Sequence, residues 1–154
     1  MSRNYKFHNA EGIYFISFAT VFWVDVFTRR VYFDCIVENL NRCVDSKGME
    51  IYAWCIMPGH IHLVFRSTIQ RPEELIRDFK SYTSKQLIAL IENNMQESRR
   101  EWLLNSFKKA AAVNSNNTKN QFCPLWRENA GQGPERCVLV PRLKDRQPCL
   151  PVFG

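Results

Sequence analysis

The sequence lacks a Cys-x-x-Cys pair and the regular cysteine spacing of small secreted proteins. Its six cysteines are instead scattered along 154 residues, as Cys35, Cys43, Cys55, Cys123, Cys137 and Cys149. Disulfide frameworks are typical of short secreted chains with closely spaced cysteines. The pattern excludes that class, and we expect free thiols in a reducing cytoplasm.

An apolar run long enough to cross a membrane is also missing. The longest candidate, 13–24, follows Arg3 and Lys6 and superficially resembles a signal peptide. A transmembrane helix needs about 20 apolar residues. The run is followed by Asp25 instead of a small-residue cleavage site. We therefore interpret it as a buried strand and predict a cytoplasmic protein without a membrane partner.

Acidic residues are fewer than basic ones. The chain has 21 Lys and Arg against 15 Asp and Glu, which gives a net charge of +6. A small basic domain favours an anionic partner, most commonly nucleic acid. With 45% hydrophobic residues, the chain is long enough for one domain with a real core and too short for two ordinary domains.

Hydrophobic periodicity predicts an α+β fold. Strand patterns cover 13–21, 50–57 and 60–66, and helical patterns cover 28–47, 72–94 and 98–112. The last helix has the capping-box residues Ser98 and Glu101. This order is most of a ferredoxin-like split β-α-β arrangement, with an antiparallel sheet and helices on one face. Pro58-Gly59 suits a type II turn, which fits a two-residue hairpin poorly, so a longer or irregular loop is expected.

The composition changes after Phe122. The segment 123–154 contains most of the prolines and has no apolar run longer than Cys137-Val138-Leu139-Val140. Proline cannot donate to a sheet ladder, and such a segment is unsuited to complete a core. We predict a domain at 1–122 and a Pro- and Cys-rich tail at 123–154 that is poorly ordered.

Two of the three histidines stand in one motif, Met57-Pro58-Gly59-His60-Ile61-His62-Leu63-Val64-Phe65. Side chains alternate along a strand, so His60, His62 and Arg66 share one face. Imidazoles two residues apart on a strand lie about 6 to 7 Å apart, close enough to bind one metal ion or to hold one phosphate. The alternative is a strand whose outer face carries two solvated histidines.

Several segments resemble the single-tyrosine HUH transposases of the insertion-sequence and REP-associated type. The resemblance covers about 1–122 and is carried by the following residues in this order: Tyr5 to Asn9, Tyr14 to Phe18, Ala53 to Met57, His60 to Leu63 and Asp78 to Lys85. It implies the HUH endonuclease fold, here incomplete at the C-terminus. It also implies single-stranded or hairpin DNA as the partner and allows a homodimer.

The resemblance further implies a reaction. In the family, two histidines bind Mg²⁺ or Mn²⁺, which polarises the scissile phosphate of single-stranded DNA. A helical tyrosine then attacks phosphorus and forms a 5′-phosphotyrosine link. His60 and His62 take the metal-ligand positions here, and metal-assisted nicking and strand transfer is the expected activity.

The nucleophile is where this sequence departs from the family. Members usually continue with a tyrosine-bearing helix, whereas this chain has no tyrosine beyond Tyr82. Tyr82 is therefore the candidate catalytic residue, and the favoured alternative is that it packs against the sheet at helical spacing with Phe79 and Leu75. Whether the chain is an active enzyme is left open.

Basic residues near these motifs are candidates for DNA binding. Arg66 shares the histidine face, and three more lie on the helix that follows: Arg77, Lys80 and Lys85. Three other functions stay open. They are a catalytically inactive DNA-binding remnant, a metal-dependent nuclease that uses water, and an RNA-binding module on a ferredoxin-like sheet.

Overall fold

The computed structural model describes residue 9 and residues 11–113, 125–127 and 138–139. A short 3-10 turn at Val21–Trp23 follows the first strand. The main elements are β1 Tyr14–Ala19, α1 Arg30–Lys47, β2 Met49–Met57, β3 His60–Ser67, α2 Pro72–Asn93, α3 Arg100–Val113 and β4 Val138–Leu139.

Local sequence explains where α1 ends and where α2 begins. α1 ends at Gly48, which has a φ of +68°. A Cβ at this position would lie 2.5 Å from Cγ1 of Ile69, so both the backbone and the space require glycine. α2 starts with Pro72 in its first turn, followed by Glu73 and Glu74, which interact favourably with the helix dipole.

Among the described residues, the sheet has four strands in the order β2-β3-β1-β4, and each described pairing is antiparallel. This is the strand order of the ferredoxin-like arrangement. The predicted α+β class and split β-α-β topology are therefore confirmed. The fourth strand is short, and it pairs Leu139 with Tyr14 and Val138 with Phe15.

The core fills the space between the sheet and the helices. Ile61, Leu63 and Phe65 of β3 are completely buried there. Phe79 of α2 meets Phe18 of β1 edge-on, with ring centroids 5.9 Å apart. We call this the covered face, and the opposite side of the sheet, toward which His60, His62, Val64 and Arg66 point, the open face.

The prediction that the segment after 122 is unsuited to complete a core is wrong at two described positions. Leu125 and Trp126 are buried in the core. Trp126 forms an antiparallel bridge with Thr20, and its ring meets that of Phe18 at 4.9 Å. Its Nε1 donates to the backbone oxygen of Lys80, so this buried indole is also hydrogen-bonded. The rest of the predicted tail, apart from β4, lies outside the described residues.

Two further observations concern the helices and the cysteines of the described residues. No helix in the described ranges is long and apolar enough to cross a membrane. The cysteines of these ranges, Cys35, Cys43 and Cys55, are free thiols, as predicted.

Candidate functional site

The histidine pair lies at the start of β3 on the open face. Both imidazoles are half-buried, and their ring centroids are 4.9 Å apart at an interplanar angle of 87°. His62 stacks on Phe15 of β1, with centroids 5.7 Å apart and planes 13° apart. The rings are thus held close together, as the alternation of β3 predicted.

The surroundings of His62 favour the neutral form of its imidazole. Burial, and then the neighbouring charge of His60, lower its pKa below the ordinary value of 6.5. Its Nδ1 atom is buried without a hydrogen-bond partner among the described residues. A buried nitrogen without a partner is costly, and a metal ion or a hydrogen-bond donor would satisfy it.

The side chains that face the pair from β2 contain sulfur. Cys55 and Met57 lie across from His62 and His60 on β2, and their sulfur atoms are 3.7 Å apart. No group of three or more His, Cys, Asp or Glu in the described residues could hold a metal ion. Two imidazoles fit a metal as a partial site, whose other positions would fall to water, phosphate oxygens or residues outside the described ranges.

The turn before His60 is tighter than expected. Met57 pairs directly with His60, which leaves Pro58 and Gly59 as a two-residue turn. The prediction of a longer or irregular loop is therefore wrong. The reason is tertiary: the backbone oxygen of Gly59 accepts from both the backbone nitrogen and the hydroxyl of Thr20, and that of Pro58 accepts from the backbone nitrogen of Phe27.

Sequence reasoning missed the aromatic pair at the 3-10 turn. The sequence predicts a buried strand for the 13–24 run, but the strand ends at Ala19. Phe22 and Trp23 are exposed, and the Trp23 ring lies edge-on to His60 at 5.6 Å. No signal in a uniformly apolar run distinguishes these two residues from their buried neighbours.

Arg66 shares the open face with the histidines, as predicted. Its Nε lies 3.7 Å from a carboxylate oxygen of Glu50 and has no hydrogen-bond partner among the described residues. The Tyr52 hydroxyl donates to the same carboxylate oxygen. The structure therefore places the cation of Arg66 on this face with a carboxylate beside it.

Tyr82 is not brought to the histidines. It lies on α2, on the covered side of the sheet, and its ring lies 3.9 Å beneath the guanidinium of Arg42 on α1. Gln86 donates a hydrogen bond to its hydroxyl. The sheet lies between this side chain and the histidine pair, and the catalytic assignment stays a prediction for a cleavage assay to test. The favoured alternative, packing against the sheet, is wrong, since Tyr82 is 39% exposed and contacts α1.

The other three predicted DNA-binding residues also lie on α2. Arg77 is exposed beside Asp78, and Lys85 lines a cavity of about 230 Å³ together with Tyr82. The Lys80 ammonium lies 5.0 Å from the ring centroid of Phe18, whose side chain is in the core. These cations do not form one surface with Arg66 because the sheet lies between them.

Comparison with solved structures finds two proteins of low sequence identity to the chain. The chain has 19% sequence identity to a Deinococcus radiodurans protein assigned as a transposase, with a TM-score of 0.46 and coverage of 57% of this chain and 68% of the other. It has 15% identity to a REP-associated tyrosine transposase bound to a REP hairpin, with a TM-score of 0.48. That match covers 94% of this chain and 65% of the other, so the chain spans just under two thirds of that protein.

No curated protein matches the sequence. The model of the family described as "Transposase IS200 like" matches residues 16–120, a range that includes most of β1, both long helices and the histidine pair. The match covers more than half of the chain, and the chain therefore belongs to the IS200-like transposase family.

Proposed function

We propose that the chain binds structured single-stranded DNA across the open face and holds one backbone phosphate at a divalent cation bound by His60 and His62. The observation that carries this proposal is the pair itself. Two imidazoles lie 4.9 Å apart on the face that α1 and α2 leave uncovered, and one of them has a buried nitrogen without a partner in the described residues. Membership of a DNA transposase family supports DNA as the partner.

Mg²⁺ or Mn²⁺ at this pair would supply polarisation of a phosphoryl oxygen. The chain itself contributes orientation and charge. Phe15 fixes the plane of the His62 ring, and Arg66 adds a positive charge on the same face. Hard cations bind weakly to two imidazoles alone, so phosphate oxygens should complete the coordination and couple cation binding to DNA binding.

Cleavage through a phosphotyrosine link needs a tyrosine that faces the pair. The tyrosines in the described residues have other surroundings: two lie in the core, one donates to Glu50, and one is on the covered side, namely Tyr14, Tyr32, Tyr52 and Tyr82. We propose that the described part of the chain binds DNA without forming the covalent link. A tyrosine from elsewhere would have to supply it.

One observation favours a second function, hydrolysis by activated water. Such a nuclease needs a carboxylate near the metal. Asp25 lies beside the histidine turn, with its Oδ1 3.4 Å from the position a Cβ would occupy on Gly59. Loss of metal-dependent hydrolysis in Asp25→Asn, with DNA binding retained, would support this function over binding alone.

The test is a Mn²⁺ titration with and without a DNA hairpin that has a single-stranded flank. We expect wild-type affinity for Mn²⁺ to rise at least about tenfold when DNA is present, and His60→Ala combined with His62→Ala to lose this coupling. Equal Mn²⁺ binding by the double variant would reject the proposed site.

The charge on this face is tested by the salt dependence of DNA binding. Arg66→Gln should reduce the slope of log affinity against log salt by about one, which is the loss of one phosphate contact. Lys109→Gln, a matched change on the exposed surface of α3, should leave the slope unchanged. An unchanged slope in Arg66→Gln would exclude it from the DNA interface.

A further inference from the structure

Two consecutive aromatic residues next to the histidine pair have left-handed backbone conformations. Phe22 has a φ of +54° and Trp23 a φ of +55°. Side chains with a Cβ rarely adopt this region, and aromatic residues have no local hydrogen bond that would compensate for it. Both rings are nevertheless exposed, at 62% and 56% of their surface. Neither conformation nor burial therefore explains why these positions hold large apolar rings.

Buried neighbours and hydrogen bonds hold the turn that contains the two rings. Val21 and Val24 on either side of the pair are buried, as is Phe27. The Thr20 hydroxyl donates to the backbone oxygens of Val24 and Gly59 at 2.7 and 3.0 Å, so the turn is bonded directly to the one before His60. The surroundings thus fix the unfavourable conformation. Backbone strain held in this way is concentrated at functional sites in proteins.

The rings also lie where a nucleic acid would pass. Trp23 is edge-on to His60 at 5.6 Å, so its indole borders the proposed phosphate position. The Arg127 guanidinium lies 5.9 Å from the Trp23 ring centroid. The backbone nitrogen of Arg127 donates to the backbone oxygen of Ala19, which ties this cation to the end of β1. A metal ligand, an exposed indole and a cation are therefore neighbours in one small area.

We propose that Phe22 and Trp23 form a stacking platform for an unpaired DNA base next to the phosphate held at His60 and His62, with Arg127 binding the backbone beside it. Proteins bind single strands with this combination of exposed aromatic rings and basic residues, and every base offers a face for stacking. The platform positions the strand for the histidine pair. This inference rests on the proposed function, since it assumes that single-stranded DNA crosses the open face.

The test measures coupling between one ring and one base. The probe is a DNA hairpin with an oligodeoxythymidylate flank, and a single abasic site is moved along the flank. We expect wild-type affinity to fall about 5- to 150-fold at one flank position, which is the value of one stacked base. Trp23→Gly should bind the intact probe correspondingly more weakly and should be insensitive to the abasic site at that position.

Several controls separate stacking from damage. Glycine adopts positive φ without cost, so Trp23→Gly should not lower the melting temperature. Its Mn²⁺ affinity without DNA should equal that of wild type, which shows that His60 is undisturbed. Trp23→Tyr should restore most of the affinity, and Trp102→Ala, which removes an indole that is 54% exposed on α3, should bind like wild type.

The outcomes distinguish the two proposals. If wild type binds the probe but no flank position shows coupling to Trp23, the platform is wrong and the proposed function stands. If wild type does not bind the probe at all, the proposed function fails, and the platform fails with it. Coupling at one position, with Mn²⁺ affinity unchanged, supports both.

Discussion

The two faces of β3 contain side chains from the same eight residues but meet different surroundings. Ile61, Leu63 and Phe65 point to the covered face and are completely buried. His60 and His62, which alternate with them, point to the open face and are half-buried. The comparison shows that one strand can supply core residues on one face and candidate binding residues on the other. Substitutions on the covered face should therefore change stability, and substitutions on the open face should change binding.

The largest effect is expected on the covered face, at a residue outside the predicted domain. Trp126→Ala should lower the free energy of unfolding by about 3 to 5 kcal/mol, because it leaves a cavity between Phe18 and Phe27 and removes the donor to Lys80. Urea unfolding measures the change. Trp102→Ala, the exposed counterpart, should cost less than about 0.5 kcal/mol. Equal effects of the two substitutions would contradict the placement of Trp126 in the core.

Trp126 also shows what the sequence does not predict. The alternation of His60 and His62 is a local pattern of period two, and local periodicity places them correctly. The burial of Trp126 depends on Phe18 and Thr20, which are more than a hundred positions away in the chain. Neither composition nor periodicity predicts these contacts. The prolines of the segment 123–154 instead predict that the segment adds no residue to the core.

The start of α3 gives a second example. Ser98 and Glu101 match a capping box, but the helix begins at Arg100, and the side chain that accepts a backbone hydrogen bond next to this end is Glu97. The Glu97 carboxylate accepts from the backbone nitrogen of Arg99 and from the Arg29 guanidinium. Arg29 precedes α1, so this carboxylate has a partner that only the folded chain brings near. Tertiary pairing here prevails over a local motif.

The next prediction concerns this ion cluster. The Glu97 side chain is completely buried between Arg29 and Arg99, so Glu97→Gln should lower the free energy of unfolding by about 3 kcal/mol at neutral pH. Chemical denaturation measures it, with Glu92→Gln at the exposed end of α2 as the matched control. A loss no larger than that of the control would show that the cluster contributes nothing to stability.

The same residue predicts a pH dependence. Burial would raise the pKa of Glu97, but hydrogen bonds from Arg29 and Arg99 outweigh it and hold the pKa below its ordinary value of 4.5. A depressed folded-state pKa gives stability that is present above the unfolded-state value and is lost as pH falls through the folded-state value. Wild type should therefore lose part of its stability below about pH 4.5, and Glu97→Gln should lose less over that range.

A moderate effect is expected at Gly59, in the turn before His60. A Cβ on Gly59 would lie 3.1 Å from the backbone oxygen of Trp23 and 3.2 Å from that of Val24, closer than an ordinary contact. Gly59→Ala should cost about 1 to 2 kcal/mol and displace the Trp23 turn from His60. The measurements are urea unfolding and Mn²⁺-dependent DNA binding. Wild-type values for both would show that the turn accommodates the added methyl group.

The smallest effect is expected at Tyr82, the tyrosine that the sequence offered as nucleophile. Tyr82→Phe keeps the ring beneath Arg42 and removes only a partly exposed hydroxyl bonded to Gln86, so stability should change by less than about 0.5 kcal/mol. The sheet separates this hydroxyl from His60 and His62, and a nucleophile must lie about 3 to 3.5 Å from the phosphorus it attacks. Labelled hairpin DNA incubated with Mn²⁺ and run on a denaturing gel should therefore give the same result for the variant and for wild type. A covalent adduct that forms with wild type and disappears in Tyr82→Phe would mean that Tyr82 reaches the histidine pair during the reaction. It would show that residues on the covered side of the sheet also take part in the chemistry.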